Sequence, residues 1–313
     1  MPFFFRTALI LRRLTRLILL GALLTTSLTG LAQPLPVVAS FSLLGDLVAR
    51  VGGERVRVST LVGPGSDAHV FQPTPADARR LAQARLVLVN GLGFEGWIER
   101  LIKSSGYKGP VVVASLGVST LEREPGAPDR QAHKYAHGHA DPHAWQDVRN
   151  TLIYVDNIAQ GLGRVDPEGQ PTYARNAAKL KAELAALDTD LRQAFAALPS
   201  ERRKVVSSHD AFAYFSRAYG IRFIAPAGLN NEAEPSAAEL ARIIQLVRRE
   251  KVPAVFMENI SDPRLAERIR AESGARIGGT LYSDALSPAG GPADTYARMM
   301  RHNAEALLKA LRD

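Results

Sequence analysis

Short apolar or β-branched runs alternate with helical patterns in two separate stretches of this chain, and no other feature narrows the fold as far. In the first stretch the runs are Pro36–Ser40, Val56–Val62, Leu86–Asn90 and Val111–Ala114, divided by helical patterns at Leu43–Val51, Pro75–Gln83 and Glu95–Lys103. In the second, Lys204–Ser208, Arg222–Ala225, Ala254–Met257 and Arg276–Leu281 alternate with helical patterns at Ala211–Ala218, Ser236–Glu250, Pro263–Ser273 and Thr295–Leu311. Strands divided by helices of about ten residues do not close as hairpins; they pair in parallel through right-handed crossovers. Between the two stretches, Ala177, Leu180, Leu184, Leu187, Leu191, Phe195 and Leu198 recur at helical spacing from Thr172 onward. At about 1.5 Å per residue this predicts a rod of roughly 40 Å, more than one lobe needs. The fold class is α/β: two lobes, each with a mainly parallel sheet flanked by helices, joined by one long rigid helix, with a cleft between them. The expected boundaries are 33–150 for the N-terminal lobe (with a polar loop at about 120–142), 151–200 for the connecting helical region and 201–313 for the C-terminal lobe.

Composition removes whole classes of chemistry. The chain of 313 residues is 46% hydrophobic and 22% charged, enough to bury large cores. It has no cysteine, which excludes disulfide scaffolds, thiolate zinc fingers, iron–sulfur clusters, cysteine nucleophiles and lipid attachment at an N-terminal cysteine. The net charge of +8 is partly local: Arg6, Arg12, Arg13 and Arg16 lie in the first 32 residues, which hold no acidic group. Without them 35 basic residues face 31 acidic ones, and no Lys/Arg block with interleaved aromatics marks a nucleic-acid surface. The same arginines precede an apolar run at 17–31, and Gly30-Leu31-Ala32 places small residues where a signal peptidase reads. Residues 1–32 therefore read as a signal peptide cut after Ala32, the apolar run being short of the ~20 residues that span a bilayer. The mature chain is expected to be soluble and periplasmic.

The seven histidines are His69, His133, His137, His139, His143, His209 and His302. His69 lies in the turn-rich GPGSDAHVFQPTP beyond the strand at Val62, His209 follows the strand KVVSS, and Asp284, in LYSDALS, follows the strand ending at Leu281. These are carboxyl ends of parallel strands, where open α/β sheets place their ligands. His143, in DPHAW, ends the polar loop, so each lobe contributes two candidates. Three imidazoles and a carboxylate make a reasonable four-coordinate zinc set, whereas magnesium, calcium and manganese prefer oxygen. Taken singly, a histidine near a strand end is more often a hydrogen-bonded structural residue than a ligand, and Asp284 is equally at home capping a turn.

The segments PGSDAHVFQPTP, DPHAW after a histidine-bearing loop, SSHDAFAYFSRAYGI and LYSDALS together resemble the metal-ion solute-binding proteins of ABC importers, the zinc and manganese receptors. The resemblance covers essentially the whole mature chain. It implies two α/β lobes joined by a long helix, a metal held between them by His69, His143, His209 and Asp284, and delivery to a membrane permease powered by a cytoplasmic ATPase. Manganese receptors of this family carry Glu at the third position, where this chain has His209, so the resemblance implies Zn2+ as the transported ligand. Zinc receptors often carry a long acidic, His-rich insert; this chain offers only HKYAHGH, and His133, His137 and His139 are either an accessory metal loop or incidental histidines in a solvated segment.

Two carboxylates are candidate braces behind the ligands. Glu258, in MENISDP, is either a solvated strand end or a hydrogen-bond partner of a ligand; Asp141 either orients His143 or forms an ordinary Asp-Pro turn. Trp97 and Trp145 read as packing residues, Trp145 beside His143, and His302 as a surface residue. The expected protein is a non-enzymatic, monomeric receptor for Zn2+, with a manganese receptor of the same class as the alternative, a periplasmic metal chaperone as a possible further partner, and a zinc hydrolase as the rival class. The chain contains no HExxH, and four ligands fill a tetrahedral site that catalysis would leave open.

Overall fold

The first four apolar runs form β1 (Leu35–Phe41), β2 (Val56–Val62), β3 (Leu86–Val89) and β4 (Val111–Val113). All are parallel, in the order β2-β1-β3-β4, with Leu35 opposite Val56 and Val37 opposite Leu86. β3 is buried along its whole length, as a central parallel strand must be when helices cover both faces. The crossovers are α1 (Ser42–Gly52), α2 (Pro75–Ala82) and α3 (Ile98–Ser105). The start of α2 is fixed by a capping box between Thr74 and Asp77 and by Pro75 in its first turn. This computed structural model describes residues 33–122, 140–225 and 236–312; the expected signal peptide and His133, His137 and His139 lie outside them.

In the connecting region a helix that the periodicity does not mark, α4 (Val148–Val165), precedes the expected long one, the 27-residue α5 (Gln170–Ala196). The short turn at Pro167–Gly169 folds α5 back along α4. The seven periodic apolar residues of α5 form its buried face, or continue it at Leu198. α4 is harder to read because Asn150, Asn157, Gly161 and Gly163 lower its helix propensity; packing of Tyr154, Val155, Ile158 and Leu162 overrides them.

The second lobe repeats the first. β5 (Lys204–Val206), β6 (Arg222–Ile224), β7 (Ala254–Glu258) and β8 (Arg276–Leu281) form a parallel sheet in the order β6-β5-β7-β8. α6 (Ala213–Tyr219), α7 (Ala237–Arg249) and α8 (Pro263–Ser273) cross over, and α9 (Tyr296–Arg312) closes the chain. Gly278 of β8 is required because a Cβ there would collide with the Phe256 ring of β7. One continuous core runs from the first sheet through α4, α5 and α9; a smaller one, with Val206, Ile244, Val255 and Ile269, lies under α7 and α8. Among the described residues no helix is long and apolar enough to cross a membrane.

The helix expected at Glu95–Lys103 begins at Ile98 instead. Gly91, Leu92 and Gly93 all take positive φ (87°, 57° and 78°), which turns the chain just ahead of Glu95. Glu95 faces back into that turn.

Candidate metal centre

In both sheets the strand order reverses beside the first strand, and the crevice at the carboxyl ends there is where such sheets bind ligands. The structure brings His69, His143, His209 and Asp284 together at these ends, one potential ligand atom from each lying within 4.8 Å of the others. His69 follows β2, held by an Asp67 carboxylate that accepts its backbone N–H at 2.8 Å. His143 precedes α4, His209 follows β5 and Asp284 follows β8. His143, His209 and Asp284 are fully buried, and the His69 side chain is 7% exposed.

All three imidazoles present Nε2. His69 Nε2 lies 3.2 Å from His143 Nε2. Asp284 Oδ2 is 3.1 Å from His209 Nε2 and 3.4 Å from His69 Nε2, and Asp284 Oδ1 is 3.6 Å from His143 Nε2. A tetrahedral zinc with bonds of about 2.0–2.2 Å sets its ligand atoms roughly 3.3–3.6 Å apart, close to these four separations.

The direction of two rings is fixed from behind. Asp141 Oδ1 accepts the His143 backbone N–H at 2.9 Å and lies 2.8 Å from His143 Nδ1. Glu258, at the end of β7 and 3% exposed, accepts the backbone N–H groups of Ser208 and His209 on Oε1 at 2.7 and 2.9 Å; its Oε2 lies 2.7 Å from His209 Nδ1. A solvated strand-end reading of Glu258 is thereby overturned. Each carboxylate favours the proton on Nδ1 and leaves Nε2 for a metal. Trp145 walls the site with its ring 5.4 Å from that of His143 and donates from Nε1 to the Ser283 carbonyl at 2.9 Å, beside Asp284. Gln146 donates to the same carbonyl, also at 2.9 Å; nothing in the chain's spacing marks this contact between lobes. Trp97 donates to the Ala68 carbonyl, next to His69, and packs as expected. His302 is remote and half-buried rather than a surface residue, with its Nε2 3.0 Å from the Thr280 carbonyl.

The electrostatics follow from burial and pairing. Burial alone depresses the His143 pKa, but Asp284 and Asp141 outweigh it and push it up to about 9. Burial likewise opposes the charged form of His209, and Glu258 and Asp284 raise it well above the ordinary value. Burial raises Asp284, yet His143 and His209 hold it well below the usual carboxylate range. The metal-free cluster is a buried array of protons and one carboxylate, and a dication entering it displaces protons.

A sheet pair with a ligand cluster between its carboxyl ends defines a two-lobed binding protein. The family profile described as ZnuA, zinc-uptake complex component A, periplasmic, matches residues 37–310. The chain belongs to this family of periplasmic metal-binding proteins of ABC importers. It is 32% identical over 280 residues to the manganese-binding lipoprotein MntA of Halalkalibacterium halodurans, covering 89% of each chain. It is also 32% identical over 293 residues to the iron-binding protein YfeA of Yersinia pestis, covering 94% of this chain and 91% of that one. Among solved structures, the periplasmic zinc-binding protein TroA from Treponema pallidum superposes with a TM-score of 0.80 at 30% identity, over 90% of this chain and 99% of that one. These relatives are binding proteins, not enzymes.

Proposed function

We propose that this chain is an exported receptor that captures Zn2+ between its lobes with His69, His143, His209 and Asp284 and delivers it to the permease of an ABC importer driven by a cytoplasmic ATPase. The observation that carries the reading is the donor set: three imidazole nitrogens and one carboxylate whose ligand atoms all lie within 4.8 Å of one another. That set suits zinc, whereas manganese favours oxygen donors. A manganese receptor is the second reading, favoured by the manganese-binding relatives. Cleavage after Ala32, a monomeric state, an accessory role for His133, His137 and His139 and loading by a metal chaperone belong to the same proposal.

Titration calorimetry on chelator-stripped protein, with zinc and manganese in competition, tests it. One tight zinc per chain, not displaced by manganese and weakened on the order of 100-fold or more by Asp284→Ala and by His209→Ala, is the expected result. Tight manganese that zinc does not displace would select the second reading. Zinc binding indifferent to Asp284→Ala would remove the carboxylate from the ligand set.

A further inference from the structure

Glu95 is a buried carboxylate that the ligand set does not use. It is 5% exposed and lies beyond β3, the strand that holds in the first sheet the place β7 holds in the second. Its Oε1 accepts the Ser40 hydroxyl at 2.5 Å and the Asn90 backbone N–H at 2.6 Å, and its Oε2 accepts the Gly91 N–H at 3.2 Å. Ser40 is the penultimate residue of β1, so the carboxylate bridges the two strands at the reversal of strand order. Glu258 does the same in the second lobe, linking the end of β7 to the segment that follows β5.

What Glu95 holds is a strained turn. Leu92 sits in the left-handed region between two glycines, a conformation a leucine keeps only when its surroundings impose it. Two residues of the turn reach the candidate ligands. Phe94 packs edge-on against the His69 ring, centroids 4.6 Å apart. The Asn90 side chain donates to the Pro142 carbonyl at 3.0 Å, the residue before His143, and accepts from the Tyr154 hydroxyl at 2.6 Å.

We propose that Glu95 is a positioning residue whose carboxylate holds the 90–95 turn so that His69 and His143 aim at a common point, the first lobe's counterpart of Glu258. The inference rests on the four-residue reading of the site. It acts through Asn90 and Phe94, since no direct bond joins Glu95 to either histidine among the hydrogen bonds of the described residues.

The test compares the intact protein with E95Q, N90A and the double variant. Zinc affinity is read by chelator competition, and the imidazole 1H–15N signals of the metal-free protein are read alongside. E95Q should weaken zinc about tenfold, at the lower end of the effect of removing an orienting partner. It should shift the ring signals of His69 and His143 while leaving those of His209 in place. N90A should weaken zinc and shift the His143 ring signals, and the double variant should lose less than the two single losses combined, because both residues share the path to His143. A lower melting temperature with affinity within twofold and unmoved ring signals would overturn the proposal, leaving Glu95 a purely structural group. If E95Q does not fold, unchanged affinity and ring signals in N90A overturn it equally. A wild type that takes up no metal would sink the reading of the site instead, and the metal-free ring signals would still decide the role of Glu95.

Discussion

Replacing Glu258 by Gln changes one atom and inverts a hydrogen-bond pattern. The carboxylate accepts two backbone N–H groups on Oε1, and its Oε2 lies 2.7 Å from His209 Nδ1. A glutamine can still satisfy the two backbone donors with its oxygen, but its NH2 then faces Nδ1 and can only donate. The imidazole must respond by accepting at Nδ1, which moves its proton to Nε2, the atom that faces Asp284 at 3.1 Å. Metal binding would then require either reversing the tautomer, leaving two donors head to head in a fully buried site, or forfeiting His209 as a ligand. A hydrogen bond to a charged group contributes about 1.5–3 kcal/mol, so the expected loss is about 10–100-fold in zinc affinity.

An opposing effect sets the pH dependence. Glu258 also raises the His209 pKa, so in the wild type a proton competes with the metal. The Gln variant loses that competition along with the brace. The deficit should therefore be smallest near pH 6 and grow toward pH 9, where wild-type His209 sheds its proton more readily. The assay is zinc competition against a chromophoric chelator from pH 6 to 9, with the His209 tautomer read from its ring nitrogen shifts. Affinity within twofold of wild type at every pH, with the proton still on Nδ1, would refute the reasoning.

Zinc binding at pH 7 should release more than one proton, read as the dependence of calorimetric enthalpy on buffer ionisation heat, because His143 titrates at about 9 and His209 well above its ordinary value in the metal-free protein. The same shifts give the metal-free protein stability that is full below about pH 6.5 and lost as the pH rises through about 9, so its melting temperature should fall across that window while zinc affinity rises. Leu184→Ala, on the fully buried face of α5, should cost about 2–5 kcal/mol in denaturant unfolding and leave zinc affinity unchanged.

The alternation of runs and helices made the architecture legible because parallel strands buried on both faces are written as continuous apolar stretches; β3, LVLV, is the plainest case. The four candidate ligands could be placed one by one after strands, but their convergence could not be read from spacing, since 215 positions separate His69 from Asp284. Only the resemblance joined them. Glu258 was ambiguous in sequence because a carboxylate at a strand end is ordinary; its burial, its two backbone donors and the nearness of its Oε2 to the His209 ring resolve it. Glu95 was invisible for a specific reason: EGWIERLIK reads as the start of a helix, whereas the helix begins at Ile98 and Glu95 belongs to the turn after the positive φ angles of Gly91, Leu92 and Gly93, a property of the folded chain.

The two glutamates show why the site has the place it does. In a sheet of order 2-1-3-4 the chain leaves the central pair of strands in opposite directions, so no loop covers the crevice between them. Backbone N–H groups at those strand ends have no ladder partner and need an acceptor. One carboxylate per lobe answers that need: Glu95 for Asn90 and Gly91, Glu258 for Ser208 and His209. In the second lobe the spare oxygen reaches an imidazole directly; in the first it captures Ser40, and the effect reaches the histidines through Phe94 and Asn90. The carboxylates that satisfy the sheets thus also set the aim of the imidazoles. A substitution at either one should register first in metal affinity, and fold stability should follow to the extent that amides are left unpaired.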